Sequence, residues 1–220
     1  MEEKNLKPGA RHYKAWIGPI NYYSYKSALQ FVLLVHLGLK DHHYLLDIGC
    51  GSLRAGKLFI PYLLPDRYYG IEPEEWLLKE GIENELGSDI IRIKNPQFLH
   101  NSTFDFSGFN RNRFDYVLAQ SIFTHATRSQ IRTCLQSVSK VLTNNGIFVF
   151  NIYEGNRDDD PDAWVYPACC TYTASLIQGF VEDAGLQVQR IRDKIFTGDW
   201  FLAALPSCNI QKYSNFFVDN

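Results

Sequence analysis

The chain has 220 residues, of which 45% are hydrophobic and 21% are charged, and its formal net charge is −2. This length is enough for a single α/β domain with its own core. The near-zero net charge excludes the strongly basic surface that is typical of proteins that bind nucleic acid or an anionic membrane.

The N-terminal segment and the cysteines predict a cytoplasmic protein. Residues 1–14 are charged and lack the apolar centre of a signal peptide. The 5 cysteines show no CxxC spacing, which favours reduced thiols. The longest apolar run begins at Ala28 and is too short to span a bilayer.

Apolar periodicity predicts strands that alternate with helices. The helices are predicted, in chain order, over 24–37, from Ser52 to a kink or an end at Pro61, from Pro73 to Gly87, over 128–142 and over 171–184. The strands are predicted over 44–48, 67–72, 97–100, 114–120, 146–152, 187–192 and 200–205. The segment IIRI competes with QFLH for the third strand, and the distance to the next strand favours QFLH.

This order predicts an α/β fold with a Rossmann-like, doubly wound, mostly parallel seven-stranded sheet. Because no helix is predicted between the last two strands, the last strand is expected to be antiparallel. We expect a single domain, with an N-terminal helical lid over 1–40, the core over 41–206 and a tail over 207–220. The ligand of such a sheet lies beyond the carboxyl ends of the strands, where the strand order reverses.

The segment YLLDIGCGSLRAG, 44–56, places a glycine-rich turn directly after the first predicted strand. Gly49 and Gly51 permit a tight turn and close approach of a ligand. Glu72, at the end of the second strand, can bind two ribose hydroxyls. A dinucleotide site would have a third glycine where this chain has Arg54. Asp47 would repel a pyrophosphate, but it suits a ligand with an ammonium and a sulfonium, which is S-adenosylmethionine.

Four sequence blocks occur in the order LLDIGCGS, YYGIEP, FDYVLAQSIFTHA and LTNNGIFVF. With them, residues 44–205 resemble the class I S-adenosylmethionine-dependent methyltransferases. The blocks GCGSLRAG, YYGIEP and AQSIFTHA are most similar to a bacterial, small-molecule-type group within that family. Leu53 stands where the family has its third glycine, so we expect a tighter turn or an earlier helix start.

The resemblance implies S-adenosylmethionine as cofactor, S-adenosylhomocysteine as product, and a set of cofactor-binding residues. These are Asp47, Gly49, Cys50, Gly51, Arg54, Glu72, Asn101, Ser102, Gln120 and Ser121. The turn would surround the methionine part, and Glu72 would bind the ribose. Asn101 or Ser102 would contact the adenine. Gln120 and Ser121 would lie beside the methyl group.

Two of these residues have alternative interpretations. Arg54 would pair with the cofactor's carboxylate, or it is an exposed helix residue. Ser121 is also interpreted as the N-cap of the following helix.

His125 is the candidate catalytic base, because it follows the fourth strand and imidazole titrates near neutrality. Its alternative is a structural histidine that bonds a neighbouring loop. Glu154, after the fifth strand, would assist His125 or bind substrate; its alternative is a solvated loop acid. The acidic segment 154–162 would attract a basic substrate or is a solvated loop.

Aromatic side chains outside the predicted elements are expected to form the wall of an acceptor pocket. The candidates are Tyr13, Trp16, Tyr23, Trp164 and Tyr166. The alternative is that they cap the core of the sheet or form a homodimer contact.

The sequence also argues against several functions. No metal is expected, because the histidines lack ligand-like spacing and Gln120 and Asn151 stand where metal-dependent relatives have acids. Nucleic-acid methylation is not expected, because AQSI replaces the D/N-P-P-Y/F block of adenine amino-methyltransferases.

The function predicted from the sequence is methylation of a small molecule, at oxygen, in a specialised natural-product pathway. The alternatives are an N-methyltransferase that acts on a peptide or protein amine, and a non-catalytic cofactor-binding or scaffold protein of the same fold.

Overall fold

The computed structural model describes residues 6–191 and 199–217. Its strands are β1 Leu45–Ile48, β2 Tyr68–Ile71, β3 Gln97–Leu99, β4 Phe114–Ala119, β5 Leu142–Ile152, β6 Gln187–Ile191 and β7 Asp199–Ala204. Its α-helices are α1 Tyr23–His36, α2 Gly56–Tyr62, α3 Glu75–Gly81, α4 Ser88–Lys94, α5 Arg128–Val141 and α6 Ala174–Asp183. Short 3₁₀ helices cover Ala15–Ile17, Ile20–Tyr22 and Ile210–Phe217.

The strands form one 7-stranded sheet in the order β3-β2-β1-β4-β5-β7-β6. Neighbours from β3 to β5 pair in parallel, and β7 pairs antiparallel with both β5 and β6. The predicted fold class and the antiparallel last strand are therefore confirmed. Strand order reverses between β1 and β4, which fixes the ligand-binding edge at their carboxyl ends.

The central strand β1 is buried on both faces, as expected for a parallel strand between two helical layers. Leu46 and Ile48 pack into one core with Ile131 of α5. Leu45 packs into the other core with Leu33 of α1. Because successive strand residues point to opposite faces, this short segment anchors both layers.

The helix predicted from Ser52 begins instead at Gly56. The reason is Leu53, whose φ of 58° is left-handed and interrupts a right-handed helix. The expectation of an earlier helix start was therefore wrong. Pro61 lies in the last turn of α2, which ends at Tyr62 as its missing donor predicts.

Two other helix starts differ from the prediction. The helix predicted from Pro73 begins at Glu75, because the Glu74 amide donates to the Glu72 carboxylate at 3.1 Å instead of entering the helix. The helix predicted from Thr171 begins at Ala174, where the side chain of Thr173 caps the Leu176 amide at 3.2 Å. In both cases a side-chain acceptor sets the boundary.

The remaining boundaries agree with prediction to within a few residues, except that β5 begins at Leu142 through a register shift opposite Phe114 and Tyr116. After α3 a π-helix over Ile82–Leu86 continues to the predicted end at Gly87. The helix α4 was not predicted, and it contains the segment IIRI that competed for the third strand. Residue 192, the predicted end of the sixth strand, lies outside the described residues, as do 218–220 of the predicted tail. The division at residues 40 and 206 stays a prediction.

Gly81 brings α3 against the glycine-rich turn, and its replacement tests this contact. A Cβ at Gly81 would lie 2.3 Å from the Ser52 carbonyl oxygen, and a backbone atom cannot move aside cheaply. We expect Gly81→Ala to destabilise the protein by about 1–3 kcal/mol. Gly179→Ala is the matched control, because Gly179 is also helical and has nothing within 4 Å of a Cβ.

Urea unfolding of both variants measures the difference. Gly179→Ala should raise the midpoint, since alanine is favoured over glycine in a helix by up to about 1 kcal/mol. Equal effects in the two variants would contradict the close contact at Ser52.

Candidate functional site

A cavity of about 600 Å³ lies at the carboxyl edge of the sheet. Its walls come from the turn after β1, the end of β2, the loops after β3 and β4, the N-terminal segment and residues 164–167. Among the lining residues are all of the predicted cofactor-binding residues, namely Asp47, Gly49, Cys50, Gly51, Arg54, Glu72, Asn101, Ser102, Gln120 and Ser121. The fold thus brings together four separate segments of the chain between residues 47 and 121.

Glu72 is held in place by two backbone donors at the end of β2. Its oxygens accept the amides of Gly51 at 3.0 Å and Glu74 at 3.1 Å. Burial raises the pKa of Glu72 to about 7, and these two hydrogen bonds oppose the rise. A carboxylate accepts about four hydrogen bonds, so the geometry leaves capacity for ligand hydroxyls.

Asp47 is a buried carboxyl group in β1 that has a phenol as its hydrogen-bond partner. The Tyr68 hydroxyl donates to it at 2.7 Å. Burial raises the pKa of Asp47 to about 6, while this hydrogen bond and the charge of Arg54 lower it. Among the described residues no cation lies within ion-pair distance of Asp47, so its charge is available to a cationic ligand group.

The glycine-rich turn keeps left-handed backbone at all three of its key positions. Gly49, Gly51 and Leu53 have φ values of 68°, 56° and 58°. Leu53 therefore adopts the conformation that the missing third glycine would favour. Left-handed backbone costs a leucine about 1–2 kcal/mol, and the fully buried side chain of Leu53 offsets this by packing in the core.

Arg54 is buried in the cavity wall, so the alternative of an exposed helix residue is wrong. Its Nη1 donates to the Ile17 carbonyl at 3.0 Å, and its Nη2 donates to the Gln120 amide oxygen. These bonds tie the end of β4 to the N-terminal segment.

The loop after β3 uses Asn101 to hold its own backbone. The Asn101 amide oxygen accepts from the amides of Thr103 at 3.1 Å and Asp105 at 3.3 Å. Ser102 is exposed at the cavity rim. Phe104, which sequence reasoning missed, is buried in this wall with a φ of 57°. An aromatic residue shortly after the third strand was the only available signal.

Ser121 follows β4 with a φ of 58°, and its amide donates to the Asn151 side chain at 2.6 Å. It is not the N-cap of the next helix. That role belongs to Thr127, which forms a capping box with Gln130.

His125 lines the cavity as a largely buried imidazole. Its Nδ1 lies 2.7 Å from the Ala168 carbonyl oxygen, which can only accept, so Nδ1 carries the proton and Nε2 has the lone pair. Burial holds the pKa of His125 below its usual range, and the charge of Lys26 adds to this. The ring also contacts Tyr166 edge-on, with centroids 4.8 Å apart.

The structure separates the candidate aromatic residues into two groups. Trp16, Trp164 and Tyr166 line the cavity. Tyr13 and Tyr23 do not line the cavity and are buried beside Leu77. The Tyr13 hydroxyl donates to Glu85 at 3.0 Å, and the Tyr23 hydroxyl donates to the Ser52 carbonyl at 3.1 Å. Tyr13 and Tyr23 therefore belong to a small hydrophobic cluster that is separate from the two cores of the sheet.

Glu154 does not line the cavity. Its carboxylate pairs with Arg190, and its amide donates to Asp199 at 2.9 Å. It is therefore neither near His125 nor a purely solvated acid.

The acidic segment 154–162 is a loop without buried residues, and it also makes several hydrogen bonds. Asp159 accepts the Thr171 amide at 2.8 Å, and Asp158 accepts the Thr173 amide at 2.6 Å. The carbonyls of the same two aspartates accept from the guanidinium of Arg128. These bonds fix the loop against the start of α6.

The described residues contain neither a cluster of metal-ligating side chains nor a membrane-spanning helix. Within residues 6–191 and 199–217, no group of three or more His, Cys, Asp or Glu side chains is placed to hold a metal ion. No helix in the described part of the chain is long and apolar enough to cross a membrane.

Comparison with known proteins assigns the domain. Residues 46–148 match the family model described as a methyltransferase domain. No curated protein sequence matches the chain significantly. Residues 46–148 are therefore similar to a methyltransferase domain, and the seven-stranded sheet has the fold of class I S-adenosylmethionine-dependent methyltransferases.

Solved structures share this fold. DesVI of Streptomyces venezuelae aligns with a TM-score of 0.60 and 15% identity over 84% of this chain and 92% of that protein. Magnesium protoporphyrin IX methyltransferase of Synechocystis PCC 6803, with bound S-adenosylmethionine, aligns with a TM-score of 0.59 and 12% identity over 84% of this chain and 81% of that protein. The glycopeptide N-methyltransferase MtfA aligns with a TM-score of 0.62 and 12% identity over 82% of this chain and 90% of that protein. At these identities the similarity concerns the fold.

Proposed function

We propose that the protein transfers the methyl group of S-adenosylmethionine to an oxygen of a small-molecule acceptor in a specialised biosynthetic pathway. One observation carries this proposal: a single cavity joins the residues expected to bind the cofactor to His125 and an aromatic wall. A cavity of about 600 Å³ is in the range of small-molecule sites.

The cavity has groups that suit the cofactor. The carboxyl of Asp47 is buried without an ion-pair partner among the described residues, which suits the ammonium, and Glu72 has lone pairs left for the ribose hydroxyls. When bound, the cofactor supplies an activated methyl group on a sulfonium. The protein then has to align the acceptor and remove its proton.

His125 is proposed as the base that takes this proton. Because Nδ1–H is fixed on Ala168, the Nε2 lone pair is the basic position. Its lowered pKa keeps the imidazole neutral at physiological pH. An alcohol or phenol needs such a base, and this favours oxygen as the methylated atom.

The alternatives receive less support. The acidic loop, which would attract a basic peptide amine, uses Asp158 and Asp159 to bond its own backbone. The intact acids and glycines of the cavity argue against a non-catalytic scaffold. We further propose a cytoplasmic location, in line with the free thiols of Cys50, Cys134, Cys169, Cys170 and Cys208. We also propose that the exposed Tyr22 and Tyr25 contribute to a homodimer contact.

Calorimetric titration of the purified protein with S-adenosylmethionine, S-adenosylhomocysteine and NAD tests the cofactor. We expect binding of the first two, because Asp47 suits a cation and repels pyrophosphate. An acceptor screen with labelled cofactor would follow. Binding of NAD alone, or of none of the three, would contradict the proposed function.

A further inference from the structure

Arg54 is a buried cation without a counterion. Its side chain is over nine-tenths buried, and no carboxylate within the described residues lies within 4.0 Å of the guanidinium. Its bonded partners, the Ile17 carbonyl and the Gln120 amide, are neutral. Its Nε has no hydrogen-bond partner. A buried charge in this state is costly unless a ligand completes its partners.

Lys26, on α1, lies one helical turn before Gln30, which lines the cavity and donates to the Lys26 carbonyl at 3.0 Å. It is partly buried, and it is in no ion pair within the described part of the chain. Burial lowers the pKa of Lys26, and the charge of Arg54 lowers it further, so the two cations are close enough to repel. The charge of Lys26 also lowers the pKa of His125.

The other titratable groups around Arg54 supply little compensation. Tyr23, Tyr153 and Tyr166 are phenols whose pKa values are raised by burial, so they are neutral at physiological pH. Among the described residues, Asp47 is the carboxyl group whose charge acts on Arg54, and Asp47 already accepts a hydrogen bond from Tyr68.

Tyr166 connects this positive charge to the proposed base. Its ring contacts His125, and its hydroxyl acts electrostatically on Arg54. Arg54, Tyr166 and His125 line the same cavity, so the positive charge and the aromatic wall are open to one ligand.

We infer that the acceptor carries an oxyanion, a carboxylate or a phosphate, that binds to Arg54 while its nucleophilic oxygen lies at His125, and that Lys26 adds positive charge nearby. The inference rests on the proposed function and adds the chemical class of the acceptor. A planar guanidinium with an unused Nε–H suits an oxyanion, because it can donate paired hydrogen bonds. The two cations would also lower the pKa of an acceptor hydroxyl nearby.

Binding of simple probes to the protein saturated with S-adenosylhomocysteine tests this inference. The probes are benzoate, phenyl phosphate and the neutral analogue benzamide, followed by the indole signals of Trp16 and Trp164 in NMR titrations. We expect at least one anion to bind about tenfold or more tightly than benzamide. Preference for benzoate or for phenyl phosphate separates carboxylate from phosphate.

Variants then assign the charge. Arg54→Lys keeps a cation but loses the planar donor pair, so it should weaken anion binding about tenfold. Lys26→Gln changes a partly exposed side chain, so it should weaken anion binding severalfold without a folding defect. Lys40→Gln, at an exposed site near the opposite edge of the sheet, is the control and should leave all affinities unchanged.

Three results would overturn the inference. In the first, benzamide binds as well as the anions. In the second, Lys26→Gln and Arg54→Lys leave the preference intact. In the third, Arg54→Lys weakens S-adenosylhomocysteine itself and no anion is preferred, which would assign Arg54 to the cofactor's carboxylate. Failure of S-adenosylhomocysteine to bind the unmodified protein would instead overturn the proposed function.

Discussion

Replacement of His125 by alanine is expected to leave cofactor affinity unchanged and to lower the rate of methyl transfer roughly 10²–10⁴-fold, the usual contribution of a general base. The reason is the tautomer that the fold imposes. The Ala168 carbonyl accepts from Nδ1 at 2.7 Å, which leaves the Nε2 lone pair as the basic position. Single-turnover measurements with labelled cofactor and an identified acceptor would separate the chemical step from binding.

A second variant separates catalysis from structure. His125→Asn retains an amide that can donate to Ala168 but has no basic nitrogen, so it should be as slow as the alanine variant. If His125 is only structural, His125→Asn should recover the rate. His42→Ala, an exposed histidine at the amino end of β1, is the control.

The pH profile gives an independent result. Burial lowers the pKa of His125, so at saturating cofactor the rate of methyl transfer should hold to a pH below the usual imidazole range and then fall as the ring protonates. The alanine variant should lack this acid limb. A rate that hardly changes in His125→Ala would make the histidine structural and favour an amine acceptor.

The sheet could be predicted from the sequence because its strands are short apolar runs with clear turns between them. Leu45–Ile48 and Phe114–Ala119 are nearly continuous hydrophobic segments, which is the pattern of strands covered on both faces. The order of the motifs then placed Asp47, Glu72 and Gln120 at one edge. This part of the site follows from connectivity alone.

The rest depends on tertiary contacts that a linear pattern does not contain. Leu53 adopts left-handed backbone because its side chain is buried in the core, and this delays the start of α2. Tyr13 and Tyr23 lie beside α3 because their hydroxyls find Glu85 and the Ser52 carbonyl. No spacing rule predicts such distant partners.

Arg54 illustrates the same limit within the site. An arginine that follows a glycine-rich turn is usually exposed, since a buried guanidinium needs partners for its donors. Here one acceptor comes from Ile17 and another from Gln120, on two elements far away in sequence. Its burial could be found only once the fold was known.

Replacement of Glu72 by glutamine is expected to weaken S-adenosylhomocysteine binding about 10–100-fold, which corresponds to about 1.5–3 kcal/mol for a hydrogen bond to a charged group. The glutamine would also have to place its NH₂ group near the amides of Gly51 or Glu74, which are themselves donors. Calorimetry at pH 8 measures the loss. Glu83→Gln, an acid with an exposed side chain beyond α3, is the control and should bind normally.

The unmodified protein should bind the cofactor more tightly as the pH rises through about 6 and 7. Burial raises the pKa values of Asp47 to about 6 and of Glu72 to about 7, so at lower pH both groups are protonated and accept hydrogen bonds poorly. The ammonium of the ligand stays charged over this range. An affinity that is constant from pH 5.5 to pH 8 in the unmodified protein would contradict the assignment of these two carboxylates.

The stability of the unliganded protein should change with pH in the opposite direction. The folded protein binds a proton on Glu72 more tightly than the unfolded chain does, since the pKa rises from 4.5 to about 7. Its free energy of unfolding should therefore decrease as the pH rises across this interval, by at most about 3 kcal/mol from this group. Glu72→Gln removes the titration and should flatten that slope. The variant should therefore lose less stability than the unmodified protein as the pH rises from 4.5 to about 7. A slope that is unchanged in Glu72→Gln would assign the titration to another group.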